Sequence, residues 1–172
     1  MTTLKQDIQK GIREMLKKFT DCPADNIICS YNNRVPLPTD NNYIIFTLLN
    51  PFRYGTPHET MGRQTVQVPN PKWHSKQYYR LTVQIDFYGD FAFDRANDII
   101  NISRTEHLCD FLRKYGFLPI ACDDAKNLTG ISGEKEYVER WSVDLEIDYC
   151  DAVSDNQDWF NTAELNIFET EL

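Results

Sequence analysis

At 172 residues the chain has the length of one domain and can bury a core without disulfide or metal staples. Its net charge of −8 argues against a general DNA-coating role, because duplex binding draws on Lys and Arg set against phosphates. The five cysteines, Cys22, Cys29, Cys109, Cys122 and Cys150, contain no CxxC or CxxH pair, and the histidines His58, His74 and His107 fall at no ligand spacing, so reduced thiols fit better than a disulfide framework or a zinc site.

Residues 4–19, LKQDIQKGIREMLKKF, place Leu4, Ile8, Ile12, Met15, Leu16 and Phe19 on one face of a helix expected to pack on a sheet. Lys5, Asp7 and Lys10 stand where a signal peptide would be apolar. The longest apolar run, YIIFTLL at 43–49, is far below the ~20 residues of a membrane-spanning helix. The expectation is a soluble, cytoplasmic protein without a membrane partner.

Residues 20–42 read as an extended connector, because Pro36 and Pro38 remove donors and fix φ, with a short strand at Ile27 to Ser30. NYIIFTLLN then reads as a buried strand. The stretch 50–76 reads as a long projecting loop or hairpin, with TVQV at 65–68 as a strand within it. Arg53, Arg63, Lys72 and Lys76 alternate there with Tyr54 and Trp73; protein contact is a better reading than stacking of single-stranded nucleic acid, since four cations over 27 residues is sparse. No phosphate-binding G-x-x-x-x-G-K-[ST] loop occurs.

QYYRLTVQIDFYG alternates with period 2: Tyr79, Leu81, Val83, Ile85 and Phe87 face the core, and Tyr78, Arg80, Thr82, Gln84, Asp86 and Tyr88 face water or a partner. A single helix is expected from an N-cap at Asp94 to a stop at Gly116. A connection containing Pro119 leads to YVERWSVDLEIDY at 137–149, a second alternating strand with Tyr137, Trp141, Val143, Leu145, Ile147 and Tyr149 inward. Residues 150–158 read as a polar loop and Ala163 to Phe168 as a closing strand. The whole implies one α+β domain over 1–172, a mostly antiparallel sheet with two helices packed on one face.

Alternation puts Asp144, Glu146 and Asp148 on one face, joined by Asp86 from the neighbouring strand, and acidic rows of this kind hold Mg²⁺ in nucleases. An exposed sheet face would look the same without chemistry. No G-x-S-x-G, HExxH or cysteine-nucleophile motif occurs, so no catalytic, metal or cofactor-binding residue is assigned. Charge is asymmetric: residues 1–122 hold 15 Lys and Arg against 12 Asp and Glu, whereas 123–172 hold 3 against 14. Such a chain suits head-to-tail assembly, a basic surface of one copy meeting an acidic surface of the next.

The order NNRVPLPTDNNYIIFTLL, FRYGTP, QYYRLTVQIDFYGDFAFDRANDII and EYVERWSVDLEIDY resembles the neck or tail terminator proteins of tailed bacteriophages and prophages over residues 26–149. The resemblance implies a structural, non-enzymatic α+β subunit that forms a ring, expected to be a hexamer, at the head-proximal end of the tail. Such a ring caps the tail tube, meets the head-tail connector protein and passes DNA only as cargo. Candidate contact residues are Arg53, Tyr54, Arg63, Trp73, Tyr78 and Arg80, and Asp86, Asp144, Glu146 and Asp148 form a candidate acidic row facing the channel. The alternatives are a metal-dependent nuclease-like enzyme using those carboxylates and a monomeric bacterial binding module.

Overall fold

The computed structural model describes residues 3–31, 38, 40–62, 72–132 and 136–156. The chain divides into two compact units, residues 1–56 with 77–151 and residues 57–76 with 152–172.

In the first unit, α1 (Leu4–Phe19) starts with a capping box: Gln6 N donates to Thr3 Oγ1 at 3.3 Å and Thr3 N to Gln6 Oε1 at 2.9 Å. Its buried stripe, Ile8, Ile12, Met15 and Leu16, is the one the spacing predicts. Gly11 lies within that stripe because any Cβ would come within 2.7 Å of the Phe117 ring. A short 3₁₀ turn at Ala24–Asn26 leads into β1 (Ile27–Cys29), which pairs in parallel with β2 (Ile44–Leu48). Strand β3 (Phe52–Met61) pairs with β4 (Lys72–Tyr88). Helices α2 (Ala92–Ile102) and α3 (Glu106–Arg113) precede β5 (Phe117–Cys122), and β6 (Lys126–Asn127), β7 (Gly130–Ser132), β8 (Glu136–Val138) and β9 (Arg140–Asn156) complete the order.

The main sheet runs β1-β2-β4-β9-β5, with β3 also on β4 and β6 also on β9, while β7 and β8 form a separate two-stranded ladder. β2 is antiparallel to β4, and β5 to β9. Side-chain bonds from Arg80 to Asp148, Gln84 to Ser142 and Arg140 to Asp86 run in opposite chain order, which makes β4 and β9 antiparallel too. Leu81, Val83, Ile85 and Phe87 of β4 and Val143, Leu145 and Ile147 of β9 form one core with the buried stripes of all three helices. The helices therefore cover this face of the sheet, and the α+β architecture holds, with one parallel pair making the sheet mixed.

Several expectations change. The single helix from Asp94 is two: α2 starts earlier, at Ala92, with Phe91 at its N-cap, and ends at Ser103, whose Oγ donates to Ile100 O at 2.7 Å. Thr105 starts α3 afresh by accepting from Leu108 N at 3.3 Å. Hydroxyls that satisfy terminal backbone groups compete with a continuous helix. The connection around Pro119 is the edge strand β5, where a missing N–H is tolerated and the register shifts between Pro119 and Ala121. Tyr137 is exposed on β8 rather than buried, because the chain breaks from strand at Glu139, whose carbonyl accepts from Gly89 N at 3.1 Å. Gly89 itself, at φ +91°, passes so close to Asn41 O that a Cβ would sit 2.6 Å away.

Of the loop or hairpin expected over 50–76, the described parts, 52–61 and 72–76, are the paired strands β3 and β4 of the hairpin reading, whereas TVQV lies outside the described residues. Residues 150–156 continue β9 rather than forming a loop. All of 151–156 are exposed, so no apolar alternation marks them; ladder bonds come from the backbone, which carries no side-chain signature. The closing strand expected at Ala163 to Phe168 lies outside the described residues. In the second unit, Gly62 N donates to Lys72 O at 3.1 Å, residues 57–61 and 152–156 are exposed, and Trp73 is half-buried.

Candidate interaction surface

The face of β4 and β9 opposite the helices carries the residues that the core does not use. At one end Arg80 Nε donates to Asp148 Oδ1 at 2.9 Å, and its Nη1 lies 3.6 Å from Glu146 Oε2. Tyr54, from β3, donates its hydroxyl to Asp148 Oδ2 at 2.9 Å and lies under the Arg80 guanidinium, 5.7 Å from the ring centroid. The bond to Asp148 raises the Tyr54 hydroxyl pKa, and the same carboxylate raises that of Arg80. Gln77 ties the base of the hairpin, donating to Tyr54 O and Tyr78 O at 3.0 Å each.

Mid-strand, Gln84 Nε2 donates to Ser142 Oγ at 3.3 Å. At the other end Asp86, 5% exposed, accepts from Arg140 Nε and Nη2 at 3.2 and 3.0 Å. Arg140 in turn covers Tyr88, which stacks on Tyr43 with centroids 4.5 Å apart. Asp144 binds Lys126 Nζ at 3.1 Å, and Asp123 shares that ammonium at 3.3 Å. The two carboxylates raise the Lys126 pKa.

The structure thus brings Tyr54, Tyr78, Arg80, Glu146 and Asp148 together and places Asp86 and Asp144 farther along the same strands, each on its own cation. Arg53 is exposed on β3, Trp73 belongs to the second unit, and Arg63 lies outside the described residues. Each carboxylate of the acidic row has a Lys or Arg within 4 Å. Among the described residues no three His, Cys, Asp or Glu side chains gather as a metal site. Charge compensation is what such a row needs to sit on a sheet without a divalent ion.

Beside this cluster β5 contributes Leu118 and Ile120, 37% and 43% exposed, next to Tyr78 at 47%. With Tyr54, Tyr149 and Cys150 they line a shallow, mostly apolar groove. Leu118 and Ile120 are absent from the sequence-based candidates because Pro119 made 117–122 read as a connection. The signal available was the alternation of Phe117 and Pro119, both buried, with those two exposed residues. Tyr, Arg and branched aliphatics around a groove have the composition of a protein contact rather than of a reaction site.

No helix among the described residues is long and apolar enough to cross a membrane. The model of one protein family, described as phage neck terminator protein, matches residues 6–171 of the 172. No curated protein matches the chain.

Proposed function

The chain belongs to the phage neck terminator protein family, a structural family of the virion tail and neck, and from that premise we propose that it forms a hexameric ring at the head-proximal end of the tail. The ring caps the tail tube on one side and receives the head-tail connector on the other. DNA crosses it as cargo. Subunits are made in the cytoplasm and end in the particle.

The observation supporting this reading is the Tyr54, Tyr78 and Arg80 cluster with its Leu118 and Ile120 groove, exposed on a sheet face whose opposite side holds the whole helix layer. Aromatic and arginine anchors beside apolar surface carry binding energy when a partner covers them. The carboxylates of that face, compensated by Arg80, Arg140 and Lys126, present little net charge to a passing duplex, which favours sliding over gripping.

The test is complementation of a phage lacking this gene. Wild-type chain should restore tails of uniform length joined to heads in electron micrographs. Tyr78→Ala with Leu118→Asp should leave headless or overlong tails while the purified variant keeps a native circular dichroism spectrum. Normal particles from the gene deletion would refute the proposed role.

A further inference from the structure

We propose that neighbouring copies of the chain meet edge to edge through opposite charge, the outer face of α1 on one copy against the β5–β6 turn of the next. The proposal rests on the ring reading and names the surfaces that would close it.

β1 and β5 end the sheet path, so they are its two lateral edges. α1 lies over the β1 edge: Gln9 Nε2 donates to Cys29 Sγ at 3.2 Å, and Lys10 and Arg13 flank a shallow groove with Gln9, Cys29 and Phe46. Lys5, Lys10, Arg13 and Lys17 are exposed on this helix, whereas its two acids, Asp7 and Glu14, are half-buried. No carboxylate of the described residues lies within 4 Å of Lys10 or Arg13. At the opposite edge β5 ends at Cys122 and the chain continues as exposed Asp123 and Asp124. Asp123 and Asp144 share Lys126, Asp124 has no ion pair among the described residues, and the nearby Arg104 pairs with none of the three, so the carboxylates outnumber the cations at this edge.

Strand-to-strand continuation is disfavoured at β5. Asp123 N donates to Asp144 O at 3.0 Å, so the backbones of Asp144, Glu146 and Asp148 point toward β5. The backbone groups of Leu118, opposite Asp148, then point to β9, and those of Pro119, opposite Ile147, point to the outer edge without a donor. β1 offers only three residues. Contact between these edges therefore falls to side chains. Different patches in contact make a heterologous interface, which closes into a ring under rotation, while pairing of like patches is opposed by their charges.

Lys10→Glu/Arg13→Glu and Asp123→Lys/Asp124→Lys change only exposed positions, and circular dichroism checks that both fold. Sedimentation velocity at low salt should show wild-type rings that dissociate as salt rises, since the Debye length falls from ~30 Å at 0.01 M to ~10 Å at 0.1 M. Each variant alone should need at least about tenfold more protein to assemble, given the cost of like charges in contact. An equimolar mixture should recover rings, because the two variants alternate around an even-numbered ring with opposite charges at every junction. Wild-type rings with both variants assembling equally would overturn this contact and leave the ring reading standing; so would variants that fail alone and are not rescued by mixing. A wild-type chain that stays monomeric at low salt and high concentration would overturn both. Unchanged assembly with duplex DNA retention lost only in the α1 variant would assign that face to nucleic acid and overturn the contact.

Discussion

Asp86 shows how a side chain read as surface becomes structural. It is nearly buried, and its partner Arg140 stands 54 positions away in the chain, so only the register of β4 on β9 reveals the pair. Alternation placed Asp86 correctly on the face away from the core but carried no information on what covers it. Asp86→Ala strands a half-buried guanidinium and should cost about 1–3 kcal/mol, the low end favoured because Arg140 retains some water. Asp144→Ala, which loses an exposed lysine contact, should cost no more than about 1 kcal/mol. Urea midpoints of the two variants rank them. The thiols separate in the same way. Burial raises Cys122 from the ordinary 9.0 to about 11, and Cys22 and Cys29 are raised for the same reason, so a thiol reagent at pH 8 should label the half-exposed Cys109 and Cys150 first. Because the folded pKa of Cys122 lies above the unfolded one, its contribution to stability is whole below about pH 9 and fades as pH rises toward 11. Cys122→Ala should therefore lose less stability than wild type between those pH values in parallel denaturant titrations.

At the level of elements, β4 and the apolar stripe of α1 were legible because each buries one face against solvent on the other, and that asymmetry is written in the order of residues. The break between α2 and α3 was not, because Ala96, Ile100, Ser103, His107 and Phe111 keep a helical spacing of three or four across it. What ends α2 and starts α3 is hydrogen bonding by two hydroxyls, Ser103 to Ile100 O and Thr105 from Leu108 N, a signal much weaker than periodicity. Thr105→Ala should destabilise the protein by about 1 kcal/mol, as loss of an N-cap does, whereas an alanine at Ser103, a C-cap with αR backbone, removes a bond without exposing a helix start and should cost less. Thermal melts of the two single variants decide the order. β5 was missed for the opposite reason. Pro119 is a strong local stop, yet here it stands buried on an edge strand, where its missing N–H leaves no ladder bond unmade.

Across the whole molecule, burial and exposure are unevenly placed along the sheet, and this separates what holds the fold from what is free to bind. Ile85 and Phe87 of β4 and Val143 and Leu145 of β9 are fully buried under the helices, whereas all ten residues of β3 are exposed although it belongs to the same sheet. The exposed part of the candidate surface was only half legible for this reason: Tyr78 and Arg80 showed in the alternation of β4, but a strand with no buried face, such as β3, looks like a loop, and its Tyr54 found Asp148 only through folding. Amide protection follows the number of buried apolar contacts that must be broken to open a hydrogen bond. Amides of Val83, Ile85, Val143 and Leu145 should therefore exchange only through global unfolding, with rates that track the denaturant stability of the whole protein. Amides of Arg53 to Met61 should exchange through local opening, orders of magnitude faster and with little dependence on low denaturant. When a ring or a tail partner covers the Tyr54 and Tyr78 surface, protection of the β3 amides should rise while that of the β4 and β9 centre stays the same. Hydrogen-exchange mass spectrometry on the free chain and on assembled tails measures both states, and equal protection of β3 in the two would remove that surface from the interface.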